Sequence, residues 1–220
     1  MEKYDLEIIN NHLIVKIGND KYLIDTGSPD SFMMSTYPGS VIINGESKKL
    51  RAKNFDDKAA EECFNLVGKR FIGFIGLDII RETSLTIFLN EKKVAFGVDN
   101  VSGETIPFLM SGYPIIESSL GHYYIDTGAM YPYGVKRLFT DLITNKKVHD
   151  FNPFLDHLNS EMYGLNITIG RRSRNIGVCE NSKVETNVLN PLGCSVIGNI
   201  IDYIDDTCVF DMKRQILIIK

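Results

Sequence analysis

Tyr22-Leu23-Ile24-Asp25-Thr26-Gly27 returns as Tyr123-Tyr124-Ile125-Asp126-Thr127-Gly128, at an offset of 101 residues. A second block repeats in the same order at an offset of 122: Ile75-Gly76 matches Ile197-Gly198, Phe88 matches Phe210, Lys92 matches Arg214 and Val94 matches Ile216. Two blocks in one order are most simply a duplication. The change of offset puts about 21 extra residues into the second copy, between Tyr131 and Cys194. The copies divide the chain into residues 1–100 and 101–220, joined near Asp99 to Pro107.

Each copy reads as strands. His12 to Ile17 is a β-rich run, Gly18-Asn19-Asp20 a turn, and Lys21 to Ile24 a strand that delivers Asp25 at its end. Val41 to Gly45 followed by Lys49 to Lys53 carries the Asn-Gly signal of a tight hairpin, and Asn166 to Ile169, Gly170 and Asn175 to Val178 form its counterpart. Closing hairpins are expected at Thr86–Leu89 with Val94–Gly97, and at Thr207–Phe210 with Gln215–Ile219. Short helices are expected only over Asp56 to Leu66 and Val135 to Ile143. The fold class is therefore all-β.

One Asp-Thr-Gly is an ordinary turn sequence. Two copies at equivalent points of a duplication are a different matter, because a pseudo-two-fold axis brings the turns face to face and Asp25 beside Asp126. Like charges about 3 Å apart cannot both ionise, so such a pair shares a proton and offers a general base and a general acid together. Thr26 and Thr127 can bond across the interface, and Gly27 and Gly128 allow an approach that a Cβ would obstruct. A hydrogen bond from the Ser28 hydroxyl to Asp25, with only Ala129 opposite, predicts Asp25 as the more ionised member.

These residues resemble the aspartic peptidases of the pepsin and retropepsin group. The likeness rests on Leu23 to Ser28, Ile125 to Ala129, Phe74-Ile75-Gly76-Leu77-Asp78, Val196-Ile197-Gly198-Asn199 and the ending Thr207 to Asp211. It implies a bilobal pseudo-two-fold fold of two small barrel-like lobes, closer to two fused retropepsin units than to a pepsin. It also implies a catalytic dyad of Asp25 and Asp126, a polypeptide substrate in the inter-lobe cleft and no cofactor. Ile43, Asn44 and Gly45 are the candidate flap. A peptidase-like domain that binds a partner without cutting it is the alternative implied by the same likeness.

The remaining features point away from other classes. A net charge of -4 and a single short basic cluster, Arg171, Arg172 and Arg174, give no reason to expect nucleic acid. No apolar run is long enough to span a bilayer, and the start lacks a leader pattern, so the chain reads as cytoplasmic. Cys63, Cys179, Cys194 and Cys208 lack zinc or disulfide spacing and read as free thiols. His12, His122, His149 and His157 have no ligand spacing, so no metal is expected. Gly68-Lys69-Arg70 is not a P-loop. Both halves of the site lie in one chain, which predicts a monomer.

Overall fold

In the computed structural model, which describes residues 1–140, 142–144, 146–152 and 155–220, the chain is mostly β, and its strands are linked by hydrogen bonds into one mixed sheet with a few short helices. An antiparallel sheet joins the two halves. Its strands run Lys3–Ile9, Lys93–Ala95, Leu85–Phe88, Thr207–Asp211, Ile216–Ile219 and Glu104–Met110, and the central contact pairs Cys208 with Ile87 and Val209 with Thr86. Val94, Ile87, Cys208, Phe210, Leu217 and Ile219 on these strands are fully buried. A hydrophobic cluster continuous across both halves lies against the sheet.

Each half then repeats one topology. Asp20–Ile24 pairs in parallel with Gly73–Ile75, and Gly121–Ile125 with Val196–Gly198. Phe32-Met33 lies antiparallel to the first of these inner strands and parallel to Arg51-Ala52, while Tyr133-Gly134 lies antiparallel to the second and parallel to Cys179-Glu180. The pairing moves the expected alignment by one residue: Ile24 faces Ile75, but Ile125 faces Gly198. The spatial offset is therefore 123 rather than 122, and Asn199, not Gly198, stands where Gly76 stands. The two glycines that suggested the match meet different needs. A Cβ on Gly76 would lie 2.6 Å from the Asp30 carbonyl oxygen, and one on Gly198 would lie 2.7 Å from the Tyr123 hydroxyl.

With the first motif offset by 101, the second half carries 22 additional residues. The hairpin Gly39–Ile43 with Glu46–Ala52 corresponds to the inner part of Asp156–Ile169 with Arg172–Glu180, since Arg51 and Cys179 hold matching partners. Most of the excess is a further hairpin, Lys146–Asn152 against Asp156–Met162, for which the first half has no counterpart.

Helix Asp57–Val67 starts at Asp56, whose carboxylate accepts from the Ala59 amide, and ends at Gly68 in the left-handed conformation, so both termini follow capping chemistry. The second expected helix reduces to one 3₁₀ turn, Lys136–Phe139, and Asp141 of that segment lies outside the described residues. Three helical segments were not expected, Leu77–Thr83, the irregular run from Ser182 to Leu192 and a 3₁₀ turn at Ile201–Tyr203. The second occupies the place of Asp57–Val67, but the β-branched and Asn-Pro residues in it hide the helical period.

All four cysteines are free and buried. Among the described residues no helix is long and apolar enough to cross a membrane. The basic cluster meets acids: Arg172 pairs with Glu104 at 2.8 Å and Arg174 with Asp205 at 2.9 Å.

Because the central sheet is shared, its core residues support both halves at once. Phe210→Ala, at a site with no exposed surface, is expected to cost about 3–5 kcal/mol in urea unfolding monitored by circular dichroism, with one transition for the whole chain. A loss below about 1 kcal/mol, or two separate transitions, would contradict the shared core.

Candidate active site

The two Asp-Thr-Gly turns meet. The Asp25 amide donates to Ile75 O and the Asp126 amide to Gly198 O, each at 2.9 Å, so the inner strands fix both aspartates from below. The threonines lock the turns to each other. Thr26 N donates to Thr127 Oγ1 and Thr127 N to Thr26 Oγ1, both at 3.0 Å. Each hydroxyl then donates across the interface, Thr26 to Ile125 O at 2.8 Å and Thr127 to Ile24 O at 2.9 Å. Both side chains are fully buried, so none of these groups has water as an alternative partner.

The glycines admit the opposite carboxyl groups. A Cβ on Gly27 would sit 2.5 Å from Asp126 Cγ, and one on Gly128 would sit 2.6 Å from Asp25 Cγ. The two carboxyls therefore lie close enough to influence each other's ionisation. Asp25 Oδ1 accepts from the amides of Gly27 at 2.8 Å and Ser28 at 3.1 Å, and Asp126 Oδ1 from the Gly128 amide at 2.9 Å. The Ser28 hydroxyl does not reach Asp25, because it donates to Asp30 O at 2.7 Å; only the Ser28 backbone serves the carboxylate.

Both aspartates are half-buried at the cavity, and desolvation of their carboxyls raises both pKa values. For Asp25 this is opposed by the Gly27 amide, the bond from Asp126, the Ser28 amide and the charge of Lys53. For Asp126 the charge of Asp25 adds to burial and carries the pKa well above the usual carboxylate range. The shared proton therefore favours Asp126. The pair can act as base and acid together towards a water between them.

The dyad forms the floor of a cavity of about 150 Å3. Phe32, Leu66, Val67, Phe71 and Phe74 form the wall from the first half, and Tyr133, Leu158, Val184, Val188 and Ile197 the wall from the second. Asp150, Phe151, Asn152 and Leu155, on the additional hairpin, reach the same cavity. Asp150 is buried, accepts from the Tyr133 hydroxyl at 2.8 Å, and has its pKa raised by burial.

The candidate flap lies elsewhere. Asn44 and Gly45 make the expected left-handed turn, with φ of 53° and 80°, but Asn44 Nδ2 donates to Phe96 O at 2.6 Å and its amide to the Tyr4 hydroxyl at 2.8 Å. Ile43 is buried in the core. That turn is fastened to the N-terminal strand, and the hairpin at the cavity is the one from the second half.

Lys53, Asp150, Phe151 and His12, which belong to no motif, also line the cavity. His12 is 2% exposed and lines the cavity, burial lowers its pKa, and among the described residues its Nδ1 has no hydrogen-bond partner. The extra residues in the second copy were the available signal for Asp150 and Phe151. His122 lies away from the cavity, bonded to Glu117 at 2.9 Å. Burial lifts the Cys63 thiol, which lines the cavity, to about 11.

No protein-family model matches the chain, and no curated protein is detectably similar to it.

Two outcomes are expected from this geometry. Thr26→Val removes a buried hydroxyl and leaves the Thr127 amide and the Ile125 carbonyl unpaired; it should cost about 2–4 kcal/mol in denaturant unfolding, with Thr26→Ser recovering most of the loss. A cost below about 0.5 kcal/mol would mean the turns are held by other contacts. The raised pKa of Asp126 means that the folded state binds this proton more tightly than the unfolded chain. Its contribution favours folding at acid pH and is lost as pH rises through the raised pKa. Asp126→Asn should therefore flatten the decline of stability from about pH 4 upward, measured as urea midpoints against pH; an unchanged slope would place the proton elsewhere.

Proposed function

We propose that this chain is an aspartic endopeptidase of bilobal acid-protease architecture, cutting a polypeptide with a water activated by Asp25 and Asp126. The observation that carries the reading is the facing pair of carboxyls of Asp25 and Asp126 in one cavity with apolar walls. The reciprocal Thr26 and Thr127 bonds and the repeated parallel pairing below each aspartate support the architecture.

In this mechanism, water between the carboxyls loses a proton to Asp25 as its oxygen attacks the scissile carbonyl carbon. Asp126 donates its proton to the carbonyl oxygen, giving a neutral gem-diol held by both residues. The carbon–nitrogen bond then breaks as one diol proton returns to the dyad and the nitrogen is protonated from it, releasing an amine and a carboxylic acid. No covalent enzyme intermediate is involved. The substrate lies extended, with side chains flanking the cut in the two apolar walls.

The test is cleavage of a diverse peptide library from pH 3 to 8, read by mass spectrometry. Asp25→Asn and Asp126→Asn should each lower the rate by at least about 10³-fold, because the pair acts as a unit, and pepstatin, a mimic of the diol, should inhibit. Cutting that survives either substitution would overturn the dyad. A folded wild type that cuts nothing but binds library peptides in the cavity would leave a binding domain in place of an enzyme.

A further inference from the structure

His149 and His157 have no ligand spacing along the chain, but the additional hairpin brings them together. In its register His149 faces Asn159 and Phe151 faces His157, so these four side chains share one face, while Asp150 and Leu158 between them take the other. His157 Nδ1 lies 3.2 Å from His149 Nε2 with the ring centroids 5.1 Å apart, so the two nitrogens sit between the rings. Phe151 packs against the His157 ring at 5.4 Å between centroids. Both histidines are exposed and open to an ion from solvent.

The outer nitrogens set what the inner ones present. His149 Nδ1 donates to Asn159 Oδ1 at 3.1 Å, which leaves the lone pair of that ring on Nε2. His157 Nε2 faces two carboxylates, Glu62 at 3.6 Å and Asp156 at 3.9 Å, which favour a proton on that nitrogen and a lone pair on Nδ1. Two neutral rings oriented in this way aim their lone pairs at each other, and a cation between them removes the repulsion. Two nitrogens bound to one Zn2+ at about 2.0–2.1 Å in tetrahedral geometry are about 3.3 Å apart. The hairpin holds the inner nitrogens at nearly that separation.

We infer that His149 and His157 form a binding site for a divalent transition metal ion such as Zn2+, with His149 Nε2 and His157 Nδ1 as its protein ligands and water in the remaining positions. Among the described residues no three His, Cys, Asp or Glu form a metal-binding group, so the pair is the whole of the protein's contribution. Asn159 and Glu62 orient the two rings. Glu62 belongs to the first-half helix Asp57–Val67, whose Cys63, Leu66 and Val67 line the cavity, while the histidines belong to the second-half hairpin whose Asp150 and Phe151 line it from the other side. An ion held by the pair fixes the ring that meets Glu62 and so ties hairpin to helix beside the cavity. Binding requires no activity of the dyad, so the site stands or falls apart from the peptidase reading.

The test is calorimetric titration of ZnCl2 into the whole chain at about pH 7.5, where imidazole ligands are neutral enough to bind metal, joined to electron paramagnetic resonance of the protein with equimolar Cu2+. Zn2+ should bind in a one-to-one complex, Cu2+ should bind more tightly than Zn2+, and excess Mg2+ or Ca2+ should not compete. The Cu2+ spectrum should show coupling to two imidazole nitrogens. Glu62→Ala, which removes an orienting partner, should lower the Zn2+ affinity by about tenfold, and His149→Gln and His157→Gln, which remove ligands, by more than about tenfold each. Circular dichroism of each variant confirms its fold, and the wild-type Cu2+ spectrum gives a readout that needs no variant. A wild type that binds no Zn2+, an affinity unchanged in either histidine variant, displacement of Zn2+ by Ca2+, or a Cu2+ spectrum without two coupled nitrogens would overturn the site.

Discussion

Two partly buried carboxyl groups brought face to face are electrostatically unfavourable, and most of the architecture around Asp25 and Asp126 holds them there. The unfavourable terms are desolvation and mutual repulsion; the compensations are the proton between them, the amides of Gly27, Ser28 and Gly128, and the threonine bonds that prevent the turns from separating. The threonines that join the turns are fully buried. The interface under the turns continues into an antiparallel sheet whose centre joins Leu85–Phe88 to Thr207–Asp211, so the facing aspartates and the main core share their supports.

The two carboxyls differ in electrostatic setting, although the turns repeat the same bonds. Asp25 gains an extra amide from Ser28 and a nearby cation in Lys53, while Asp126 feels the charge of Asp25. Backbone geometry supplies the symmetry, and the side chains around it break it. Asn199 is another such difference: it fills the place of Gly76 and donates to Thr127 O at 3.1 Å and Asn11 O at 2.6 Å, tying the second turn to the tip of the first hairpin.

What could be read from the sequence was what local chemistry encodes. Asp-Thr-Gly after an apolar strand, Asn-Gly at a turn and Asp56 before a helix each act through neighbouring residues, and each forms the element expected of it. The position of such an element in space is a tertiary matter. Asn44-Gly45 makes its turn, but what it touches is decided by Tyr4 and Phe96, distant in sequence. The one-residue shift at Gly198 has a similar origin, since a glycine records that something approaches closely without recording what. Lys53 gives no sequence signal at all, because its environment is made by Phe32, Phe55 and Phe74 only after the sheet forms.

The additional hairpin has a consequence for chain direction. A two-fold site built from identical copies accepts an extended strand equally in either orientation, because rotation about the axis interchanges the two bound forms, and in a dimer of identical subunits every substitution appears on both sides. Here the copies share one chain, and the arm from Lys146 to Met162 has no partner across the axis. A strand entering the cavity meets different surfaces at its two ends, so its two orientations are no longer equal in energy. A peptide bound as proposed would therefore have its N-terminal and C-terminal ends told apart by the one-sided hairpin.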